Sequence, residues 1–223
     1  MLTMISPIKR TYRDFRLFLR NPVNLPAEDQ TVKHKISRLF SVLAMEIPIV
    51  AAIGAMIYGI GEIGLLDTDT HKIGVLFQKM PLWKFILFGV VVNPFIEELI
   101  FRLYLRFNPK GLSGYSLLSA SAIGKRMMKK IEAYLTHLWL NKFHLVFFSS
   151  ALLFAIFHLS NYQFSITVLL LSPLLVAPQF ITGLFLGYLR IKYSWMLGYF
   201  MHAIHNAFFI SSSLIIINSF DIQ

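Results

Sequence analysis

Five apolar runs follow one another along the chain, and each is about long enough to cross a membrane as a helix. They lie at residues 39–61, 82–107, 143–160, 164–189 and 193–217. A transmembrane helix takes about 20 residues, and lipid leaves few other ways to satisfy backbone hydrogen bonds. The pattern therefore predicts an all-α fold, a polytopic transmembrane helix bundle with about five spans.

Two segments outside these runs are basic and amphipathic. Residues 7–22 alternate bases with aromatic and leucine side chains, which predicts a helix in the membrane interface. Residues 110–142 are only mildly apolar, and we expect an interfacial helix there that runs on into the third span. The chain is thus divided into a basic cytoplasmic or interfacial segment, residues 1–38, and a transmembrane bundle, residues 39–223.

Composition and charge agree with this division. Hydrophobic residues make up 56% of the 223 residues and charged residues only 14%, whereas soluble domains average about 25% charged. The net charge of +10 is clustered, with eight Lys or Arg in residues 1–38, eight in residues 102–142 and none in residues 193–223. The positive-inside rule then places the N-terminus inside and the loop 62–81 and the C-terminal tail outside. We interpret the basic clusters as contacts with anionic lipid, not with nucleic acid.

Residues 97–102, with the sequence Glu-Glu-Leu-Ile-Phe-Arg, place three ionisable side chains inside the second apolar run. Each costs about 3 kcal/mol to insert, so such groups normally face a protein interior or a wet cavity. On a helix Glu98 and Arg102 share a face and can neutralise each other. Glu97 is rotated from Glu98 by about 100° and remains available for other contacts. The motif indicates either two carboxylates with different roles or an ion network that only packs helices.

Two further polar motifs occur in later runs. Phe154 lies one turn before His158, which closes the third run. In the fifth run His202 and Asn206 are four residues apart and share a face, while His205 is displaced around the helix. An imidazole beside a carboxamide can donate two hydrogen bonds to one oxygen, as an oxyanion hole does. A packing histidine and an interhelical hydrogen-bonded pair are the structural alternatives.

Taken together, the three motifs supply the parts for hydrolysis inside a membrane. A carboxylate can take a proton from water, a histidine can orient that water, and the third motif can stabilise an oxyanion. The chain has no cysteine and no Gly-x-Ser-x-Gly or His-Glu-x-x-His motif. The usual signatures of thiol, serine and zinc peptidases are therefore missing.

The three motifs resemble those of the CPBP family, the CaaX proteases and bacteriocin-processing enzymes. That family includes the Ras and a-factor converting enzymes and many bacterial intramembrane proteases, and its motifs are EExxxR, FxxxH and HxxxN or HxxxD. Here they read Glu97 to Arg102, Phe154 to His158 and His202 to Asn206, in the family's order. The resemblance covers about residues 83–210, which we expect to form the protease core.

The resemblance implies a glutamate-dependent intramembrane endopeptidase, expected in a bacterial cytoplasmic (inner) membrane. The catalytic residues it implies are Glu97, His158, His202 and Asn206. Glu97 would be the general base, His158 would help to activate the attacking water, and the other two would stabilise the oxyanion. Glu98 and Arg102 would pair and hold the site in shape. His205 lies at a variable position of its motif and is left out of the site.

Other functions remain open at this point. Glu97, His158 and His202 could in principle bind zinc, but no compact metal-binding spacing is present, so we expect no metal and no cofactor. A non-catalytic immunity or scaffold protein of the same fold is a second alternative, and a transporter is a third, although no inverted repeat is visible. The expected partners are membrane lipid and a peptide or lipidated protein substrate, with no nucleic acid. No oligomeric state is predicted.

The predicted spans and the predicted site conflict in one respect. Glu97 falls in the middle or inner half of its span, whereas His158 falls near the outer end of its own. A shared water requires the two side chains to meet. Either the third helix begins before residue 143, or Pro94 restarts its helix and changes the depth of Glu97.

Overall fold

The computed structural model describes residues 6–66, 80–115 and 121–220, and these residues contain no β-strand. The helices in chain order are α1 (Pro7–Arg20), α2 (Val32–Glu62), α3 (Leu82–Ile86), α4 (Asn93–Arg102), α5 (Leu112–Tyr115), α6 (Ala122–Asn141), α7 (Phe143–Phe157), α8 (Ile166–Leu175), α9 (Ala177–Lys192) and α10 (Trp195–Phe220). A π-helical segment, Leu87–Val92, joins α3 to α4, and 3₁₀ turns at Leu103–Arg106 and His158–Asn161 follow α4 and α7. The predicted all-α bundle is confirmed.

Among the described residues, three helical stretches are long and apolar enough to cross a membrane. They are Val32–Glu62, Phe143–Asn161 and Ile166–Lys192, which overlap the predicted spans at 39–61, 143–160 and 164–189. The run 82–107 is divided among α3, the π-helical segment and α4, and the run 193–217 is covered by α10, which has 26 residues. The chain is an integral membrane protein. Most of the predicted outer loop, residues 67–79, and the last three residues lie outside the described residues.

Helix α9 is the centre of the bundle and packs against α2, α7 and α10. Its contact with α7 is close because glycines occupy the shared face. A Cβ atom on Gly183 would lie 3.2 Å from the Cα of Ala151, and one on Gly187 would lie 2.8 Å from the Phe147 ring. Small residues spaced by four allow membrane helices to approach closely. The same face of α9 places Gly183 beside Arg102 of α4.

Helix α1 is amphipathic, as predicted, and its apolar face is docked on the bundle. The Ser6 side chain caps its first turn by accepting from the backbone N–H of Lys9, and Pro7 follows. Phe15 stacks on Phe185 of α9 with ring centroids 4.2 Å apart, and Phe18 meets Phe147 of α7 edge-on at 4.9 Å. The exposed basic side chains of α1 include Lys9, Arg10, Arg13 and Arg16.

A buried arginine ties α1 to α2. Nη2 of Arg38 donates to Oδ2 of Asp14 at 2.7 Å, and its Nη1 donates to Oγ1 of Thr11 at 2.7 Å. Nε of the same guanidinium donates to Nε2 of His34 at 3.1 Å. All three guanidinium nitrogens are therefore paired, which offsets much of the cost of burying the charge.

The expected continuation of the 110–142 segment into the third span is wrong. α6 ends at Asn141, and Lys142 has φ −126° and ψ 29°, outside the helical region, before α7 begins at Phe143. The third helix therefore does not begin before residue 143, and an earlier start cannot explain how His158 reaches the depth of Glu97. The second explanation, a helix restarted at Pro94, stays a prediction: a π-helical segment precedes Pro94, but Val92 and Asn93 keep helical backbone angles.

Candidate active site

The backbone around Pro94 sets the position of the first motif. In the π-helical segment the N–H of Asn93 donates to the carbonyl of Phe88, five residues back. The next bond of this pattern would need an N–H on Pro94, which proline lacks. The carbonyl of Gly89 is thus left without a helical donor, and Nδ2 of Asn206 donates to it at 2.7 Å. The carbonyl freed by this π turn thereby anchors the side-chain amide of α10.

Helix α4 buries Glu98 and Arg102 and leaves Glu97 partly exposed. The side chains of Glu98 and Arg102 are 0% exposed and that of Glu97 is 18% exposed. Oε1 of Glu98 lies 3.8 Å from Nε of Arg102, an ion-pair distance that is too long for a hydrogen bond. The predicted pairing of these two residues is present, and the two adjacent glutamates have different surroundings.

The guanidinium of Arg102 lies against an aromatic ring. Its Cζ is 3.9 Å from the centroid of Phe154, and none of its nitrogens has a hydrogen-bond partner among the described residues. A Cβ on Gly183 would lie 3.2 Å from Nη2 of Arg102, so the glycine leaves room for the guanidinium. Cation–π contact and the nearby Glu98 carboxylate therefore hold this charge in place.

His158 begins the 3₁₀ turn that ends α7. Its Nδ1 is 2.7 Å from the carbonyl oxygen of Phe154, which can only accept, so Nδ1 carries a proton. The other ring nitrogen, Nε2, lies 4.0 Å from Oε2 of Glu97. A single water at ordinary hydrogen-bond lengths of about 2.8 Å can touch both atoms.

His202 lies between the two adjacent carboxylates. Its Nε2 is 3.5 Å from Oε2 of Glu97, and its Nδ1 is 3.3 Å from Oε1 of Glu98. The ring is almost fully buried and also meets Phe154 edge-on, with centroids 5.7 Å apart. Glu98 therefore contacts His202 more closely than it contacts Arg102, a contact that helix spacing within α4 does not predict.

The four predicted catalytic side chains, Glu97, His158, His202 and Asn206, line one cavity of about 600 Å³. Its walls come from α2, α3, the π-helical segment, α4, α7, α9 and α10. Much of the remaining lining is apolar, including Phe85, Phe88, Phe157, Phe209 and Ile210. Most ligand sites are largely apolar cavities with a few polar side chains that point into them.

Sequence reasoning missed a second polar group beside the same cavity. Glu46 of α2 is fully buried, accepts from Oγ1 of Thr182 at 2.6 Å, and lies 2.8 Å from Nδ1 of His205. His205, Thr182 and Gln179 line the cavity. Glu46 is the one acidic residue in the apolar run 39–61. A single carboxylate within a predicted span is a sign of a functional or paired polar group, and it could have identified this cluster from the sequence.

The described residues contain no group of three or more His, Cys, Asp or Glu arranged to hold a metal ion. The site instead brings two imidazole Nε2 atoms towards one carboxylate oxygen, with a carboxamide on the neighbouring turn of α10. Such a site can bind and polarise a water molecule and donate hydrogen bonds to a developing negative charge.

A family model described as type II CAAX prenyl endopeptidase Rce1-like matches residues 79–208, more than half of the chain. The chain belongs to the Rce1-like family. This confirms the resemblance to the CaaX proteases that the three motifs indicated, and it places the chain in a family of membrane endopeptidases. The matched residues of this Rce1-like chain include every predicted site residue. Searches of curated proteins and of solved structures found no match.

Proposed function

We propose that this chain is an intramembrane endopeptidase that uses Glu97 as its general base. The observation that carries the proposal is the convergence on Oε2 of Glu97, with Nε2 of His202 at 3.5 Å and Nε2 of His158 at 4.0 Å, at the wall of a largely apolar cavity. A carboxylate and an imidazole that face one small space are suited to activating water.

In the proposed reaction Glu97 takes a proton from a water molecule that His158 orients. The resulting hydroxide attacks the carbonyl carbon of the scissile peptide bond and forms a tetrahedral oxyanion. When the carbon–nitrogen bond breaks, Glu97 returns the proton to the leaving amine, and a carboxylic acid and an amine are released. Membership of the Rce1-like family supports this reaction class.

His202 and Asn206 are assigned to the oxyanion. Asn206 has two amide hydrogens, and donation of one to Gly89 fixes the amide while the other remains for the substrate. The Glu98 carboxylate accepts from Nδ1 of His202, so Nε2 donates to the oxyanion when the ring carries protons on both nitrogens. Preorganised donors of this kind typically contribute about 3 kcal/mol each to the transition state.

We assign the supporting role to Glu98 and Arg102. Both are fully buried, so neither side chain reaches the cavity. Glu98 orients His202 through Nδ1, and Arg102 balances the carboxylate's charge. Removing either would leave an unpaired buried charge.

The substrate we propose is a peptide or lipidated protein segment at the membrane. The apolar cavity walls suit a lipid chain or an apolar peptide, and the family description names prenylated CAAX substrates. The clustering of basic residues supports an orientation with the N-terminus inside. The membrane we propose is a bacterial cytoplasmic membrane, as the resemblance to the CPBP family implies.

Cleavage in a defined membrane tests this proposal. Wild-type protein in nanodiscs should cut a farnesylated CaaX peptide or a peptide found by comparing membrane peptidomes with and without the protein. The Glu97→Gln protein should cut neither, while Glu28→Gln, which changes an exposed carboxylate, should behave as wild type. Cleavage that survives in Glu97→Gln would remove Glu97 as the base.

A chelator arm separates the zinc alternative from the proposed mechanism. Activity should be unchanged after incubation with 1,10-phenanthroline, because Glu97 needs no metal to accept a proton. Loss of activity that zinc restores would favour a metal site built from Glu97, His158 and His202. A biological effect that persists in Glu97→Gln and His158→Ala would favour a non-catalytic membrane protein.

A further inference from the structure

The second polar cluster comprises Glu46, Gln179, Thr182 and His205, and the proposed mechanism does not use it. It lies where α2, α9 and α10 meet, whereas Glu97 projects from α4. Gln179, Thr182 and His205 line the same cavity as Glu97. The cluster is therefore within reach of a substrate that fills the cavity.

Glu46 and His205 lie within ion-pair distance of each other. Nδ1 of His205 lies 2.8 Å from Oε1 of Glu46, and the hydroxyl of Thr182 donates to the same oxygen at 2.6 Å. This contact does not have hydrogen-bond geometry in the described part of the chain, but a carboxylate at this distance favours a proton on Nδ1. The ring is also 4.7 Å from Phe209, centroid to centroid. Nε2 is then the ring nitrogen left for the cavity.

Gln179 lines the cavity and carries an unpaired acceptor. Its Oε1 is buried and has no hydrogen-bond partner in the described part of the chain. Buried polar atoms are nearly always paired in native proteins, so an unpaired acceptor at a cavity wall points to a donor on a ligand. Gln179 and Thr182 are three residues apart on α9, which places both on the face that meets Glu46.

We propose that Gln179 and His205 form a subsite that binds a main-chain peptide group of the substrate, with Glu46 and Thr182 as positioning residues. A peptide group carries one N–H donor and one C=O acceptor. Oε1 of Gln179 can accept the former, and His205 Nε2, when protonated, can donate to the latter. This inference rests on the proposed function, because it assumes that a polypeptide enters the cavity.

A free carboxylate is a poorer occupant of this subsite. It carries only acceptors, so it would leave Oε1 of Gln179 unpaired, and it would bring a negative charge towards Glu46. A prenyl chain has no polar atoms to pair with either residue. A main-chain amide satisfies both side chains at once.

The first test separates binding from turnover with the peptide that wild-type protein cuts in nanodiscs. His205→Gln and Gln179→Leu should each raise KM about tenfold, the effect of one lost hydrogen bond in a buried site, and leave kcat within about twofold. His144→Gln and Gln163→Leu change exposed residues of the same types and should leave both constants unchanged. Unchanged KM in both cluster variants, with or without a lower melting temperature, would overturn the subsite.

A double-mutant cycle tests the positioning role. Glu46→Gln should also raise KM. The double variant Glu46→Gln with His205→Gln should have the same KM as His205→Gln alone, because both changes remove the same interaction. Additive effects on KM would overturn the assignment of Glu46. A loss of kcat without a change in KM would instead make His205 part of the reaction and would overturn a binding role.

Binding to an inactive protein separates this inference from the proposed function. In the Glu97→Gln background the same peptide, fluorescently labelled, should bind with a Kd that His205→Gln weakens about tenfold. If Glu97→Gln still cleaves but the Kd shift is seen, the catalytic assignment fails and the subsite holds. If cleavage depends on Glu97 but the Kd does not change, the subsite fails and the protease holds. If the wild type neither binds nor cuts any peptide, both fail.

Discussion

Glu97 and Glu98 are consecutive residues whose carboxylates lie against opposite nitrogens of one imidazole, that of His202. Oε2 of Glu97 is 3.5 Å from Nε2, and Oε1 of Glu98 is 3.3 Å from Nδ1. Because Glu98 is fully buried and Glu97 is not, only Glu97 is placed to meet a substrate. Because both carboxylates contact the same ring, a substitution at Glu98 that moves His202 should also alter the surroundings of Glu97.

Replacing Glu98 should damage stability as well as activity. Glu98→Gln leaves the Arg102 charge buried without a carboxylate, and breaking a buried pair in this way costs about 3 kcal/mol. Glu97→Gln should leave stability nearly unchanged because Glu97 is partly exposed. Thermal unfolding of both variants in one detergent measures the difference. Equal melting temperatures would contradict the division of roles between the two residues.

Truncating Asn206 should slow turnover without abolishing binding. Asn206→Ala removes both the proposed oxyanion donor and the bond to the Gly89 carbonyl, so kcat should fall about 100-fold while KM changes little. Single-turnover cleavage in nanodiscs measures this effect. Asn141→Ala, a change at an exposed asparagine of α6, serves as the control. A fall in kcat of less than about threefold would remove Asn206 from the oxyanion site.

The contact between α7 and α9 should not tolerate a methyl group. Gly187→Ala places its Cβ 2.8 Å from Phe147, which is fully buried and cannot move aside, so we expect destabilisation of about 2 kcal/mol. Gly59→Ala meets nothing within 4 Å on α2 and should be neutral or stabilising by up to about 1 kcal/mol. Unfolding of the two variants in detergent compares them. A Gly187→Ala protein as stable as wild type would mean that the helices are farther apart.

Arg38 should determine whether α1 stays docked. Arg38→Met removes the donors to Asp14 and Thr11, so α1 should detach more often and expose the connector 21–31 to protease. We expect cleavage in this connector to become about tenfold faster than in wild type, in line with the loss of a charged hydrogen bond. Arg16→Met changes an exposed base on the same helix and should leave the rate unchanged. An unchanged rate in Arg38→Met would show that aromatic packing alone holds α1.

The bundle and the convergence of the three motifs could be anticipated from the chain because lipid constrains both. Apolar runs of about 20 residues have few structural choices in a bilayer. Ionisable groups such as Glu97, Glu98 and His202 are unfavourable in lipid, which indicated an interior or a cavity before any contact was known. The family match supports the motif pattern.

Contacts between helices could not be anticipated in the same way. Spacing within α4 predicts Glu98 near Arg102, but only the packing of α10 against α4 brings His202 nearer to Glu98 than Arg102 is. The pairing of Glu46 with His205 likewise joins residues 159 positions apart in α2 and α10. Pro94 signals an interrupted helix, but it does not reveal which side chain would satisfy the freed carbonyl.

The π-helical turn before Pro94 also governs register. A π turn holds one residue more than an α turn, so the side chains of Leu82–Ile86 are rotated by about 100° relative to an uninterrupted helix leading into Asn93–Arg102. Relatives with a plain α-helix here would need a one-residue gap in this stretch when aligned with this chain. Deleting a single residue from Leu87–Val92 would therefore rotate the two parts of this helix relative to each other by about 100°. The Gly89 carbonyl would then point away from Asn206, although the residues of all three motifs would be unchanged.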